Sequence, residues 1–242
     1  MPLRFVIFAL SLLAAQPALA GQAAPSRLYG HLPYPDADPT RLVPAPAGFE
    51  LRQPCLLRAE VIPDLTALIA AAHAAGVQGT VQGVSCYRSA AHQHAIFCAT
   101  DPEGQPRCNE PAKRAMSVAP PGHSEHSTGY AIDFGTRPSP GCDDVEYCFD
   151  RTPLGQWLLK HAADYGFELS FPWKNVQGVT WEPWHWRWVG RSAREPGARA
   201  ARMMFAAARA AFPAKPRIPN LVVRVVSQPP VPEPPAKEAR GS

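Results

Sequence analysis

Four side chains in this chain have the types and surroundings for hydrolytic chemistry: His126, Asp133, His185 and Glu182. Asp133 lies in an alternating stretch where Tyr130, Ile132 and Phe134 are large and apolar, while Ala131 and Gly135 on its own side are small. A carboxylate placed among apolar strand residues is costly unless it is paired or bound to a metal. His126 comes seven residues earlier, an odd separation that faces away along an unbroken strand. Thr128-Gly129 permits a bend that swings it to the same side. Downstream, Trp181-Glu182-Pro183-Trp184-His185-Trp186 embeds a Glu and a His in a wall of indoles, where each is expensive without a partner. Pro183 denies one ladder hydrogen bond and sets Glu182 at a strand edge or entry. Two imidazoles and one carboxylate, with a position left for water, are the donor set of a catalytic zinc site holding one ion. A carboxylate that does not ligate, Glu182, is then the base such a site needs.

The elements that must position these groups are mixed. Leu65, Leu68, Ile69 and Ala72 recur at helical spacing between Asp64 and Ala75, and Gly76 ends that helix. Gly79 to Tyr87 reads as a strand, and Ser89 caps a helix through Cys98. Alternation predicts strands over Tyr130–Gly135 and Trp184–Val189. Thr152 and Pro153 open a helix closed by Gly166. Ser192 with Glu195 resembles a capping box before an alanine-rich helix to Ala211. Helices and antiparallel strands in this irregular order predict an α+β domain with a small central sheet. The tryptophan cluster is expected in the core rather than as a binding platform.

The ends suggest export. Arg4 precedes an apolar run from Phe5 to Ala15, and Ala18-Leu19-Ala20 stands before Gly21. That is the pattern of a cleaved signal peptide over residues 1–20, too short to span a bilayer with ease. The expectation is a periplasmic or cell-envelope protein with no transmembrane segment after cleavage. Residues 21–50 read as an extended arm, 51–212 as the domain, and 213–242 as a proline-rich tail. Within the tail, Leu221 to Val226 is an apolar run that could pair as an edge strand. Net charge is +4 with no dense Lys/Arg block, so nucleic acid is not expected as a partner. Six cysteines lie beyond residue 20, an even number that favours disulfides in an exported chain. Their fifteen pairings are not decided by spacing. Cys98–Cys108 and Cys142–Cys148 are expected as local staples, leaving Cys55–Cys86.

The run Ser124-Glu125-His126-Ser127-Thr128-Gly129-Tyr130-Ala131-Ile132-Asp133 resembles the S-x-H-x-x-G-x-A-x-D signature of the VanY-type D-alanyl-D-alanine carboxypeptidases. Glu182-Pro183-Trp184-His185 is similar to that family's E-x-W-H element, Tyr87-Arg88-Ser89 with Gln93 to its Y-R-S segment, and Tyr165-Gly166-Phe167 to its Y-G-F. The resemblance implies one zinc ion on His126, Asp133 and His185, with Glu182 as catalytic base. It implies that Arg88 grips the terminal carboxylate of a peptidoglycan stem peptide, a task that suits a planar guanidinium. Ser124 would add a hydrogen bond to that substrate. Gln93 is a substrate-side candidate, with a place on the helix surface as its alternative. His123 is either a partner of a metal ligand or a solvated loop residue, and His73, His92, His94 and His161 carry no catalytic role. An L,D-carboxypeptidase, a dipeptidase or a non-catalytic wall-binding module would share these ligands.

Overall fold

The computed structural model describes residues 26–219 apart from Arg52. The expected signal peptide and the run Leu221 to Val226 lie outside the described residues. Strands β1 (Leu42–Pro44) and β2 (Leu56–Arg58) form a two-stranded antiparallel ribbon. The main sheet contains β3 (Thr80–Ser85), β4 (Ala131–Arg137), β5 (Phe167–Leu169) and β6 (His185–Trp188), all antiparallel in the order β3-β4-β6-β5. Around it stand α1 (Ile62–Ala74), α2 (Ala90–Phe97), α3 (Pro111–Arg114), α4 (Pro153–His161), α5 (Ala198–Met204) and α6 (Ala206–Ala211). The expected α+β architecture with a small antiparallel sheet is what the chain adopts.

The pleat divides the sheet into two chemically opposed faces. Ile132 lies opposite Trp186, and Phe167 opposite Trp188. These side chains are fully buried in one apolar cluster with Leu65 and Leu68 of α1 and Leu154 and Leu158 of α4. Burying each such side chain contributes about 1.5–3 kcal/mol, so this face holds the sheet to its helices. On the other face Asp133 lies opposite His185, and Glu168 opposite Arg187. That face is polar yet also buried. It carries the site.

Local signals account for the starts of α2 and α4. Ser89 accepts a hydrogen bond from the His92 amide at 3.1 Å, and Thr152 one from the Gly155 amide at 3.0 Å, capping α2 and α4. The alanine-rich helix differs from expectation. It begins only at Ala198, behind Gly197, and breaks at Phe205. Glu195 accepts from Arg191 and Ser192 from the Arg194 amide, so no capping box forms. The break seats Phe205 against Tyr34, Tyr130 and the Arg187 guanidinium. Buried packing there outweighs alanine's helix preference.

Residues 26–50 are mostly irregular and are packed onto the rest of the fold. Leu32, Tyr34, Ala37, Ala45 and Phe49 are buried, and β1 pairs with β2. At the other end Ala214 and Ile218 are buried too, ahead of the remaining prolines. The three disulfides are Cys55–Cys86, Cys98–Cys108 and Cys142–Cys148, matching the expected pairing.

Candidate metal centre and active site

Cross-strand register brings the first two groups together. Asp133 and His185 are directly opposed on β4 and β6, so their side chains leave the same face. His185 Nδ1 lies 2.9 Å from Asp133 Oδ1. His126 arrives from a 3-10 turn, Glu125–Thr128, that ends at Gly129 with φ +74°. A Cβ there would stand 2.7 Å from Leu42 Cδ2, so glycine meets both the dihedral and the close approach. The turn is held from β2, where Arg58 donates through its backbone N–H to Gly129 O and through Nε to Thr128 O, both at 3.0 Å. The bend brings His126 Nε2 to 3.1 Å from Asp133 Oδ2. The ligand atoms of His126, Asp133 and His185 all lie within 4.8 Å of one another, and all three residues are buried.

Hydrogen bonds on the far side of each ring orient the donor atoms. His126 Nδ1 is 2.7 Å from the Cys86 carbonyl, which can only accept, so the proton sits on Nδ1 and the Nε2 lone pair faces Asp133. Nε2 is buried and has no hydrogen-bond partner. Two lone-pair donors facing each other across 3.1 Å suit a cation between them. His185 Nε2 lies 3.1 Å from Glu125 Oε2, which leaves Nδ1 for the common centre. Carboxylates placed behind metal-ligating imidazoles fix ring orientation in this way. These three side chains could therefore hold a single metal ion, and the N/O donor set fits one.

The electrostatics without a cation show how much charge is gathered here. Burial, then the nearby Arg88 charge, lowers His126 to about 4. Burial alone would lower His185, but its hydrogen bonds to Asp133 and Glu125 outweigh that and raise it to about 10. Asp133 is held well below the usual carboxylate range; burial opposes this, and His126 and His185 overcome it. Burial raises Glu182 to about 8. Its Oε2 is 3.8 Å from His185 Nδ1, beside the ligands without joining them.

A cleft of about 460 Å³ opens onto this centre, lined by Arg88, Ser124, His126, Asp133, Glu182 and His185 among others. Arg88 Nε is buried and without a partner. Ser124 Oγ accepts from the His126 amide at 3.3 Å. Gln93 is not among the lining residues. It is fully buried, its Nε2 donating to Ala119 O at 2.7 Å, so it lies neither in the cleft wall nor on the helix surface. His123 lines the cleft, with Nδ1 3.0 Å from Pro121 O. Trp184, Trp186 and Trp188 are core residues, whereas Trp173 is exposed.

Sequence reasoning passed over the layer behind the ligands. Glu125 Oε1 accepts from Arg187 Nη1 at 2.8 Å, and Glu168 bonds both Arg187 and Arg209, all four residues being buried. Arg187 was findable, because it sits two residues after His185 on a strand and must share its face. His31 and Tyr34, from before residue 51, also line the cleft, and no local pattern marks them.

Three converging candidate ligands, a carboxylate beside them and an arginine in the same cleft are the parts that metal-dependent peptide hydrolysis calls for. Residues 54–191, more than half of the chain, match the VanY D-alanyl-D-alanine carboxypeptidase family, and the chain belongs to it. YodJ of Bacillus subtilis (strain 168), assigned to the carboxypeptidases, is 36% identical over 188 residues, covering 76% of this chain and 61% of YodJ. The bifunctional D-Ala-D-Ala dipeptidase and carboxypeptidase VanXYC of Enterococcus gallinarum is 30% identical over 119 residues, 48% of this chain and 60% of VanXYC. The chain thus spans about three fifths of the length of these curated relatives. Among solved structures, the LD-carboxypeptidase LdcB superposes with a TM-score of 0.54 at 29% identity, covering 70% of this chain and 78% of LdcB.

Proposed function

We propose that this protein is an exported zinc carboxypeptidase that removes the C-terminal D-alanine from peptidoglycan stem peptides. The observation that carries the reading is the convergence of His126, Asp133 and His185 with Glu182 unligated beside them. Export is supported by the leader-like first twenty residues and the three disulfides. No helix among the described residues is long and apolar enough to cross a membrane.

When bound, zinc supplies Lewis acidity, bringing the pKa of water toward ~7 and polarising the scissile carbonyl. Arg88, whose Nε lacks a protein partner, receives the terminal carboxylate and fixes the last residue of the chain. Ser124, also on the cleft wall, would add a hydrogen bond to the peptide. Glu182 as carboxylate takes a proton from the attacking water, whose oxygen bonds to the carbonyl carbon. It then returns that proton to the departing amine as the C–N bond breaks, leaving a shortened peptide and free D-alanine. A base in this role must be ionised, and a divalent cation nearby would draw Glu182 below its cation-free value of about 8.

The likeness to LdcB favours a second reading, removal of the terminal residue by L,D-cleavage. Mass spectrometry of tetrapeptide and pentapeptide stems, each incubated with zinc-loaded protein, separates the two. Loss of alanine from the pentapeptide alone supports D,D-cleavage, and loss from the tetrapeptide alone supports the L,D reading. No loss from either leaves a wall-binding module and defeats the enzyme assignment. Glu182→Ala is expected to keep the metal and lose turnover by at least about a hundredfold; a wild-type rate removes Glu182 as base.

A further inference from the structure

Two guanidinium groups that the hydrolytic chemistry does not use line the same cleft as Arg88 and Glu182: Arg107 and Arg114. Arg114, at the end of α3, is fixed by Nε donating to Phe97 O at 3.2 Å and Nη2 to Ile96 O at 2.9 Å. Carbonyls satisfy N–H groups but bring no net charge, so the cation stays uncompensated. Arg107 rides on the loop closed by Cys98–Cys108, and its backbone N–H donates to Ala99 O at 3.2 Å. Its position is thus set by a covalent staple and a hydrogen bond. Among the described residues neither guanidinium has a carboxylate within ion-pair reach, and neighbouring Glu110 is engaged with Lys113 at 3.0 Å. The two cations feel one another, Arg107 adding to the effect of burial in disfavouring charge on Arg114. A second hollow, of about 500 Å³, shares Arg107, Arg114 and Ser117 with the cleft and continues it away from the metal centre.

We infer that Arg107 and Arg114 form a second anion subsite, which binds a carboxylate of the peptide upstream of the scissile bond while Arg88 holds the terminal one. This rests on the peptidase reading above and narrows it to acidic peptides with at least two carboxylates. A planar guanidinium matches a carboxylate through paired N–H donors. The path along the second hollow gives the upstream chain somewhere to run. An anion there relieves the like-charge contact that the fold otherwise carries unpaired.

The test compares kcat/KM of the full zinc-loaded protein on peptides that differ only by carboxylate against carboxamide, placed at each upstream residue in turn. Wild type is expected to favour the carboxylate at one position by about fivefold to tenfold in low salt, less as salt screens the partly exposed pair. Arg107→Gln should reduce that ratio to about twofold or less, Arg107→Lys should restore part of it, and Arg107→Glu should invert it. The Arg107 side chain is exposed, so circular dichroism should show these variants folded. Equal use of both peptides by wild type at every position, or an undiminished preference in Arg107→Glu, overturns the inference. If wild type hydrolyses neither peptide, the peptidase reading fails on its own. Fluorescence anisotropy with the same labelled peptides then decides the subsite. Tighter binding of the carboxylate form, lost in Arg107→Glu, upholds it, and equal binding of the two forms refutes it.

Discussion

Glu125→Gln keeps the shape of the side chain behind His185 and removes only its charge. Oε1 accepts from Arg187 Nη1 at 2.8 Å and from the Tyr34 hydroxyl at 3.4 Å, while Oε2 accepts from Ser170 Oγ at 2.5 Å and lies 3.1 Å from His185 Nε2. Two buried cations, Arg187 and Arg209, are balanced by two buried anions, Glu125 and Glu168. The substitution leaves one positive charge without a counterpart in the interior. Breaking such a pair costs about 3–5 kcal/mol, a large part of a total stability of about 5–15 kcal/mol. For a chain of this size that lowers Tm by roughly 6–20 °C. The amide is also a poorer acceptor behind His185, so zinc affinity should fall about 10- to 100-fold. Burial opposes ionisation of Glu125, but Arg187 and the His185 hydrogen bond prevail and hold it at about 2 against an ordinary 4.5. A depressed folded-state value means that this stabilisation is full above pH 4.5 and drains away as pH falls toward 2. Wild type and variant should therefore converge in acid. The assays are thermal unfolding across that range and zinc titration against a competing chelator. A Tm within about 2 °C of wild type at pH 7, together with unchanged zinc affinity, would refute the view that Glu125 anchors both network and ligand.

Zinc loading at pH 7 should release at least one proton per ion, because His185, at about 10 without the cation, must give up its proton to ligate. Calorimetry in two buffers of different ionisation enthalpy measures this, and zero release contradicts the ligand assignment. The double variant Cys55→Ala, Cys86→Ala should lose about 3 kcal/mol and also bind zinc more weakly, since the Cys86 carbonyl orients His126. Cys98→Ser with Cys108→Ser should leave zinc affinity near wild type; an equal loss in both pairs would show that the Cys86 contact has no special role. In α4, a Cβ on Gly155 would stand 1.8 Å from Phe149 O, so Gly155→Ala should destabilise by at least about 2 kcal/mol in urea unfolding. Wild-type stability in that variant would mean the turn before α4 yields easily.

The grouping of Asp133 with His185 was legible because strand alternation is strict. Once Tyr130, Ile132 and Phe134 claim the interior, Asp133 must leave the other side, and the same logic applies to His185 between Trp184 and Trp186. The bend at Thr128-Gly129 was legible from glycine, whose left-handed dihedral the turn uses. Glu125 was harder, since its value comes from Arg187, 62 residues later, and from Ser170, 45 residues later. Such contacts follow from sheet order, which no local spacing encodes. Its place beyond the Y-R-S-like segment sets Gln93 on the substrate side, with the helix surface as alternative, while its side chain is enclosed and spans to the Ala119 carbonyl. The break at Phe205 was hidden for the same reason, because alanine-rich composition promises continuity and only the pocket made by Tyr34 and Tyr130 interrupts it.

The segment from residue 26 to residue 50 precedes the portion that matches the family at residue 54, yet it reaches the cleft beside His126, Asp133 and His185. Tyr34 donates its backbone N–H to Gly122 O at 2.8 Å, His31 Nε2 lies 2.7 Å from Ala115 O, and both residues line the cleft. A different leading segment would thus present a different cleft wall beside the same three residues. The cleft is therefore shaped in part by a stretch outside the family match, which can change without touching His126, Asp133, His185 or Glu182.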